Sequence, residues 1–257
     1  MSNLQSLKCT LSSDFKKLTK TSFFAIHLFV PIACATVFAL YTAVTGYSTE
    51  AMAIAYFQVI AIALPVVSAI VCSLVVNQEM DAGDAYFLLS SPSRAKVLFS
   101  KFVLAIGVGL VSCLLAAALF GVSLVALRSV PISSIINYIL AGVIVWACSI
   151  ILYAIQMLTA LKFGRNISIA VAAFESLIAA LLLTGLGAAV WYILPPGWGV
   201  RITEIYLSLA FGASNDIANY ASASVRLATP IIVFMTLIFI SIMFVWFARW
   251  DGRKNVE

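Results

Sequence analysis

NQEMDAGDAYFLLSSPSRAKVLFSK, residues 77–101, is a polar island between two long apolar runs. Glu79, Asp81 and Asp84 place three of the chain's ten acids in it, and Arg94, Lys96 and Lys101 add three bases. In a chain that is 63% hydrophobic and 10% charged, six charges in 25 residues mark a segment that meets water. The runs on either side of it decide the fold.

A mean hydropathy of +1.11 and 63% apolar residues lie far above the roughly 45–50% apolar content of soluble domains. The chain therefore reads as an integral membrane protein. Six runs approach the roughly 20 residues that cross a hydrocarbon core: residues 22–44, 54–76, 102–127, 134–160, 167–193 and 225–248. Membrane strands are shorter and alternate apolar with polar residues, whereas these runs are apolar all round, which predicts an all-α bundle of six transmembrane helices. The first run follows a twenty-residue polar leader and lacks a small-x-small cleavage site, so it reads as a span and not a signal peptide.

Twelve of the fifteen bases fall on one side of this topology: Lys8, Lys16, Lys17 and Lys20; Arg94, Lys96 and Lys101; Lys162 and Arg165; Arg249, Arg253 and Lys254. Only Arg128, Arg201 and Arg226 fall on the other. The positive-inside rule makes both termini and the island cytoplasmic. The net charge of +5 then describes a rim facing anionic lipid and excludes a nucleic-acid site.

The chain divides into a leader, 1–21, and a six-helix domain, 22–257. Leu4, Leu7, Leu11, Phe15 and Leu18 recur at helical spacing, with Lys8, Ser12, Lys16 and Lys20 opposite, which predicts an amphipathic helix in the membrane interface that turns into the first span at Thr21. An ordinary charged flank is the alternative. Within the island, an acidic stretch around Gly83 precedes Tyr86, Phe87, Leu88 and Leu89, and Ser91-Pro92 reads as a helix start. Grease beside charge makes a knob that either folds back on the bundle or enters a cleft on a soluble partner.

The order acid, Gly, two leucines, Ser-Pro-Ser-Arg and a Lys opening a span resembles the segment after the second span in permeases of type-2 ABC exporters. The resemblance implies that residues 77–101 form a coupling helix on a separate ATPase, with Glu79, Asp81, Gly83, Asp84, Tyr86, Leu88, Arg94 and Lys101 as coupling residues. Phe163, Gly164, Asn166, Ile167 and Ser168 open span five, Glu175 lies within it, and Trp191, Pro195, Trp198 and Arg201 follow. This order is similar to permeases of lantibiotic-immunity ABC transporters, in bacterial plasma membranes. It implies expulsion of an amphipathic peptide from the bilayer and a second permease, identical or different. A permease for another lipid-soluble drug or lipid, or a non-transporting scaffold or sensor, are the other readings.

No GxxxxGK[ST] phosphate loop occurs, so the chain would bind no cofactor of its own, and ATP and Mg would sit on the partner. No Ser/His/Asp set, paired catalytic acids or metal cluster is visible, so an enzyme is the weaker class. Cys9, Cys34, Cys72, Cys113 and Cys148 show no CxxC spacing and read as packing residues. His27, the single histidine, reads the same way.

Glu175 is the charge a bilayer least accommodates, because an ionised carboxylate there costs several kcal/mol unless something neutralises it. It reads either as a polar contact on a transport path or as a hydrogen-bonding residue that fixes packing. Pro65 falls midway in the second span. Ala105 to Gly109 and Ala117 to Gly121 in the third span permit close helix approach, within the chain or against a second permease. Residues 194–224 predict one or two short outer helices over the exit, with Trp198, Arg201 and Glu204 in the lid and Trp198 as an interface anchor.

Overall fold

Each apolar run contributes one long helix, and the computed structural model describes residues 3–81, 93–212 and 214–252. The helices are α1 (Asn3–Leu18), α2 (Phe23–Val44), α3 (Thr49–Asp81), α4 (Arg94–Arg128), α5 (Ile135–Phe163), α6 (Arg165–Leu182), α7 (Pro195–Ala210) and α8 (Asn215–Ala248), and no strand occurs among the described residues. Six of them, α2 to α6 and α8, are long and apolar enough to cross a membrane. The chain is a multi-pass membrane protein.

The helices alternate in direction. Asp14 in α1 meets Lys101 early in α4, and Arg94 at the start of α4 donates to the main-chain oxygen of Trp250 just past α8. Both ends of the described chain therefore share one end of the bundle, the base. At the opposite end, the crown, Arg128 donates to the Thr42 carbonyl at the end of α2, and Tyr206 in α7 donates to Asn137 in the first turn of α5.

Helix α5 is central and packs on α3, α4, α6, α7 and α8. Lipid tails are as apolar as leucine, so tight packing and polar contacts must hold such helices together. At Gly142 of α5 a Cβ would lie 2.9 Å from the Ala117 Cβ and 3.0 Å from the Cys113 carbonyl of α4. At Gly109 of α4 it would meet the Tyr153 hydroxyl of α5 at 2.7 Å. The small residues of α4 thus serve α5 of the same chain. Nearer the crown, Tyr56 stacks on Phe120 at 4.0 Å between centroids and donates its hydroxyl to the Ala116 carbonyl. Helices α2 and α8 flank the bundle and leave Phe29, Val44, Phe234 and Leu237 exposed, as a bilayer allows.

At Thr21 the chain passes from α1 to α2: its hydroxyl donates to the Leu18 carbonyl ending α1 and accepts from the Phe23 N–H opening α2. Three expectations need correction. Helix α4 starts at Arg94 after Ser93, two residues beyond the Pro92 at which the sequence predicts its first turn; Arg94 anchors that start on the carbonyls of Ala248 and Trp250. Ser91 and Pro92 lie outside the described residues. Helix α6 ends at Leu182, not Ile193, because the chain folds back so tightly that a Cβ on Gly187 would lie 2.4 Å from the Leu182 Cα. Hydropathy alone reads through this break, since the residues beyond it are still apolar.

The third correction concerns the outer segment. Pro195 and Pro196 open α7, where an absent N–H costs nothing, and α7 packs into the bundle against α3, α5 and α6. Gly199 makes this possible: a Cβ there would sit 3.2 Å from the Ala61 Cβ of α3 and 3.9 Å from the Cys148 Cβ of α5. Trp198 is fully buried, with its indole N–H on the Tyr192 carbonyl, so it is a core residue and not an interface anchor. Residues 215–224 belong to the long α8 and form no separate outer helix.

Candidate functional site

Among the described residues, three clusters of polar side chains that include a charged group stand out in this apolar bundle. At the base, Asp14 lies on the leucine face of α1, three residues after Leu11 and four before Leu18, and is buried. The ammonium of Lys101 sits 3.0 Å from Asp14 Oδ1 and 2.8 Å from Glu79 Oε1. Ser100 donates its hydroxyl to Asp14 Oδ2 at 2.6 Å, and Lys17 reaches Glu79 Oε1 at 2.9 Å from a half-exposed position. Two acids and two bases thus join α1, the end of α3 and the start of α4.

A buried ion costs several kcal/mol in lost hydration, offset only where partners and hydrogen bonds are complete. Lys101 meets that condition by bridging both carboxylates. The outer Lys17 pair is screened by solvent and contributes little. Glu79 and Lys101 are therefore turned inward, toward each other, and Arg94 is spent on the end of α8. Asp81 ends α3, while Gly83, Asp84, Tyr86 and Leu88 lie outside the described residues.

Asp14 and Ser100 escaped the sequence reading, and Lys17 entered it only as one of the bases on the cytoplasmic side. The available signal was an acid on the apolar face of a helix otherwise rich in lysine, a position that solvent alone would not favour.

The second place is in the span of α6. Gly164 is the single residue between α5 and α6, with φ 92° and ψ 178°, a conformation open essentially to glycine. Its turn lays α6 back along α5 and brings Ser168 to Gln156. The Ser168 hydroxyl donates to Gln156 Oε1 at 2.8 Å, and Gln156 Nε2 donates to Glu175 Oε2 at 2.7 Å. Ser168 and Gln156 are fully buried and Glu175 is 7% exposed. Glu175 makes no ion pair among the described residues.

At the crown, Arg201 donates Nε to the Leu182 carbonyl at 2.8 Å and a terminal nitrogen to the Thr184 carbonyl at 2.9 Å. The Leu182 carbonyl ends α6, while the Thr184 carbonyl also accepts from the Gly187 N–H; a cation at a helix C-terminus is favourable. Its other terminal nitrogen is 3.2 Å from Glu204. Arg201, Glu204 and Trp191 line a cleft of about 150 Å³; Trp198 lies in the core beneath, outside that lining.

Two further features lie elsewhere in the bundle. A cleft of about 150 Å³ between α2, α3 and α4 is lined by residues including Pro31, Cys34, Leu64, Ser112 and Cys113. His27 is buried with Nδ1 at 2.8 Å from the Phe23 carbonyl, and its own carbonyl accepts from Ser112. All five cysteines are free, and no group of metal-ligating side chains occurs among the described residues. Comparison with known proteins finds no matching family model and no matching curated protein.

Proposed function

We propose that this chain is the permease subunit of an ATP-driven type-2 ABC exporter that expels an amphipathic peptide of the lantibiotic kind from a bacterial plasma membrane. The observation that supports the reading best is the base network. Asp14, Lys17, Glu79 and Lys101 tie α1, α3 and α4 together on both sides of residues 82–92. A force applied to that segment by a docked partner would reach three helices at once.

In this reading the base faces the cytoplasm and α1 lies along the membrane surface. A separate ATPase binds the segment containing Gly83, Asp84, Tyr86 and Leu88, and ATP and Mg belong to that partner. A second permease, same or different, completes the transporter. Closure of the motor domains shifts α3 and α4 against α5, and the peptide leaves at the crown past α7. Glu175 is the polar contact on that path.

Copurification with an ATPase from the native host tests the proposal. Gly83→Pro and Asp84→Lys are expected to abolish ATPase association and peptide resistance while leaving membrane insertion intact. Unchanged association and resistance in both variants would sink it. Resistance to an unrelated lipid-soluble drug in place of the peptide would favour the broader exporter reading, and a membrane protein that recruits no ATPase would favour a scaffold or sensor.

A further inference from the structure

We propose that Glu175, Gln156 and Ser168 form a proton-binding site inside the membrane, in which Glu175 is held as the neutral carboxylic acid. The inference stands apart from the transport reading, since neither an ATPase nor a peptide enters it. Its ground is a contrast among the three buried acids of the described chain, Asp14, Glu79 and Glu175. Asp14 and Glu79 share the ammonium of Lys101, and Glu79 has Lys17 as well. Among the described residues, Glu175 has only the neutral amide of Gln156.

Glu175 lies ten residues past Arg165, about 15 Å along the helix at about 1.5 Å per residue, so it stands midway along the 18-residue α6. A bare carboxylate at that depth costs several kcal/mol, and charged groups there are paired, hydrated or neutralised. The charged groups whose side chains are described on the elements packed on α6 lie elsewhere. On α3, Glu79 is held at the base and Glu50 is exposed in the first turn. On α5, Lys162 lies over the Phe163 ring. On α7, Arg201 and Glu204 pair at the crown. The buried thiols and phenol of Cys72, Cys148 and Tyr153 on α3 and α5 supply no positive charge. What neutralises Glu175 is then a proton.

The hydrogen-bond chain accommodates that proton. With its amide turned over, Gln156 accepts the Glu175 O–H on its oxygen and donates its N–H to Ser168 Oγ. The Ser168 proton then points to the Gln156 main-chain carbonyl, 3.4 Å away. Only the amide oxygen and nitrogen of Gln156 exchange places, and the carboxyl oxygen that faces the chain, Glu175 Oε2, keeps its partner. Opening of the site to water, or arrival of a cation, would release the proton.

Infrared difference spectroscopy of the intact protein in lipid bilayers at neutral pH tests the assignment. The C=O stretch of a protonated carboxylic acid is expected in the wild-type protein and expected to vanish in Glu175→Gln, which keeps the size and hydrogen bonding of the neutral acid. In Gln156→Leu the same band is expected to move to higher frequency, because the acid loses its partner; this variant also serves if Glu175→Gln does not fold. Absence of an acid band in the wild-type protein overturns the proposal. So does a band that survives in Glu175→Gln, or one that stays in place in Gln156→Leu.

Discussion

Lys101 shows how much one side chain can carry in an apolar bundle. It neutralises Asp14 and Glu79 together from a position almost closed to solvent. Lys101→Met leaves two buried carboxylates with a single half-exposed lysine and is expected to destabilise the protein by about 3–5 kcal/mol, the usual result of removing one partner of a buried pair. Lys17→Met should lose less than about 1 kcal/mol. The combined Asp14→Leu, Glu79→Leu, Lys101→Met variant should recover most of the loss, because no charge then remains to be desolvated. Chemical unfolding in detergent micelles compares all three, and a single Lys101→Met as mild as Lys17→Met would contradict the network. At this scale the sequence was only partly legible. Glu79, Lys101 and Glu175 stood out as charges beside or inside apolar runs. Their directions did not, because whether a charge faces a partner or a neighbouring helix depends on helix rotation and crossing. Asp14 was hidden among lysines for the same reason.

Elements are set here by glycines whose roles differ with what faces them. Gly142→Ala should cost about 1–3 kcal/mol, since its new Cβ would press on Ala117 and a main-chain carbonyl that cannot retreat. Gly107 on α4 has nothing within 4 Å of its would-be Cβ, so Gly107→Ala should cause no loss. Thermal unfolding of the two variants side by side checks the contrast, and equal midpoints would refute it. Gly164→Ala forces a side chain into the ε region between α5 and α6 and is expected to cost about 1–3 kcal/mol. Because Gly164 brings Ser168 to Gln156, this variant should also shift any carboxylic-acid band of Glu175. The six long helices were legible from length and hydropathy. Helix α7 was legible as a helix after two prolines but not in its placement, which rests on the small surface of Gly199 meeting Ala61 and Cys148. Hydropathy counts apolar residues and does not register close approach of backbones.

At the scale of the whole molecule, the sidedness of the bundle can be read from its own thiols. Cys9 on α1 is exposed, whereas Cys72, Cys113 and Cys148 are buried in the core. A membrane-impermeant maleimide is expected to label Cys9 from one side of sealed vesicles and to leave those three unmodified until the protein is unfolded. A single cysteine placed at Arg249, near the end of α8, should label from the same side as Cys9, and one at Tyr47, exposed between α2 and α3 at the crown, from the opposite side only. Labelling of both positions from one face would break the alternating topology.

Length and hydropathy by themselves determined that this is a helical, multi-pass membrane protein with a polar segment between its second and third spans, because the roughly 30 Å hydrocarbon core fixes how many apolar residues a span needs. The tertiary structure alone decided that Lys101 turns inward to two acids, that α6 stops at Leu182 under the Arg201 cap, that α7 enters the bundle, and that Glu175 rests on Gln156. The division has one physical cause. Crossing a bilayer is a property of a helix taken singly, whereas burial of a charge, termination by a distant cation and backbone contact at a glycine exist only once helices have been set side by side.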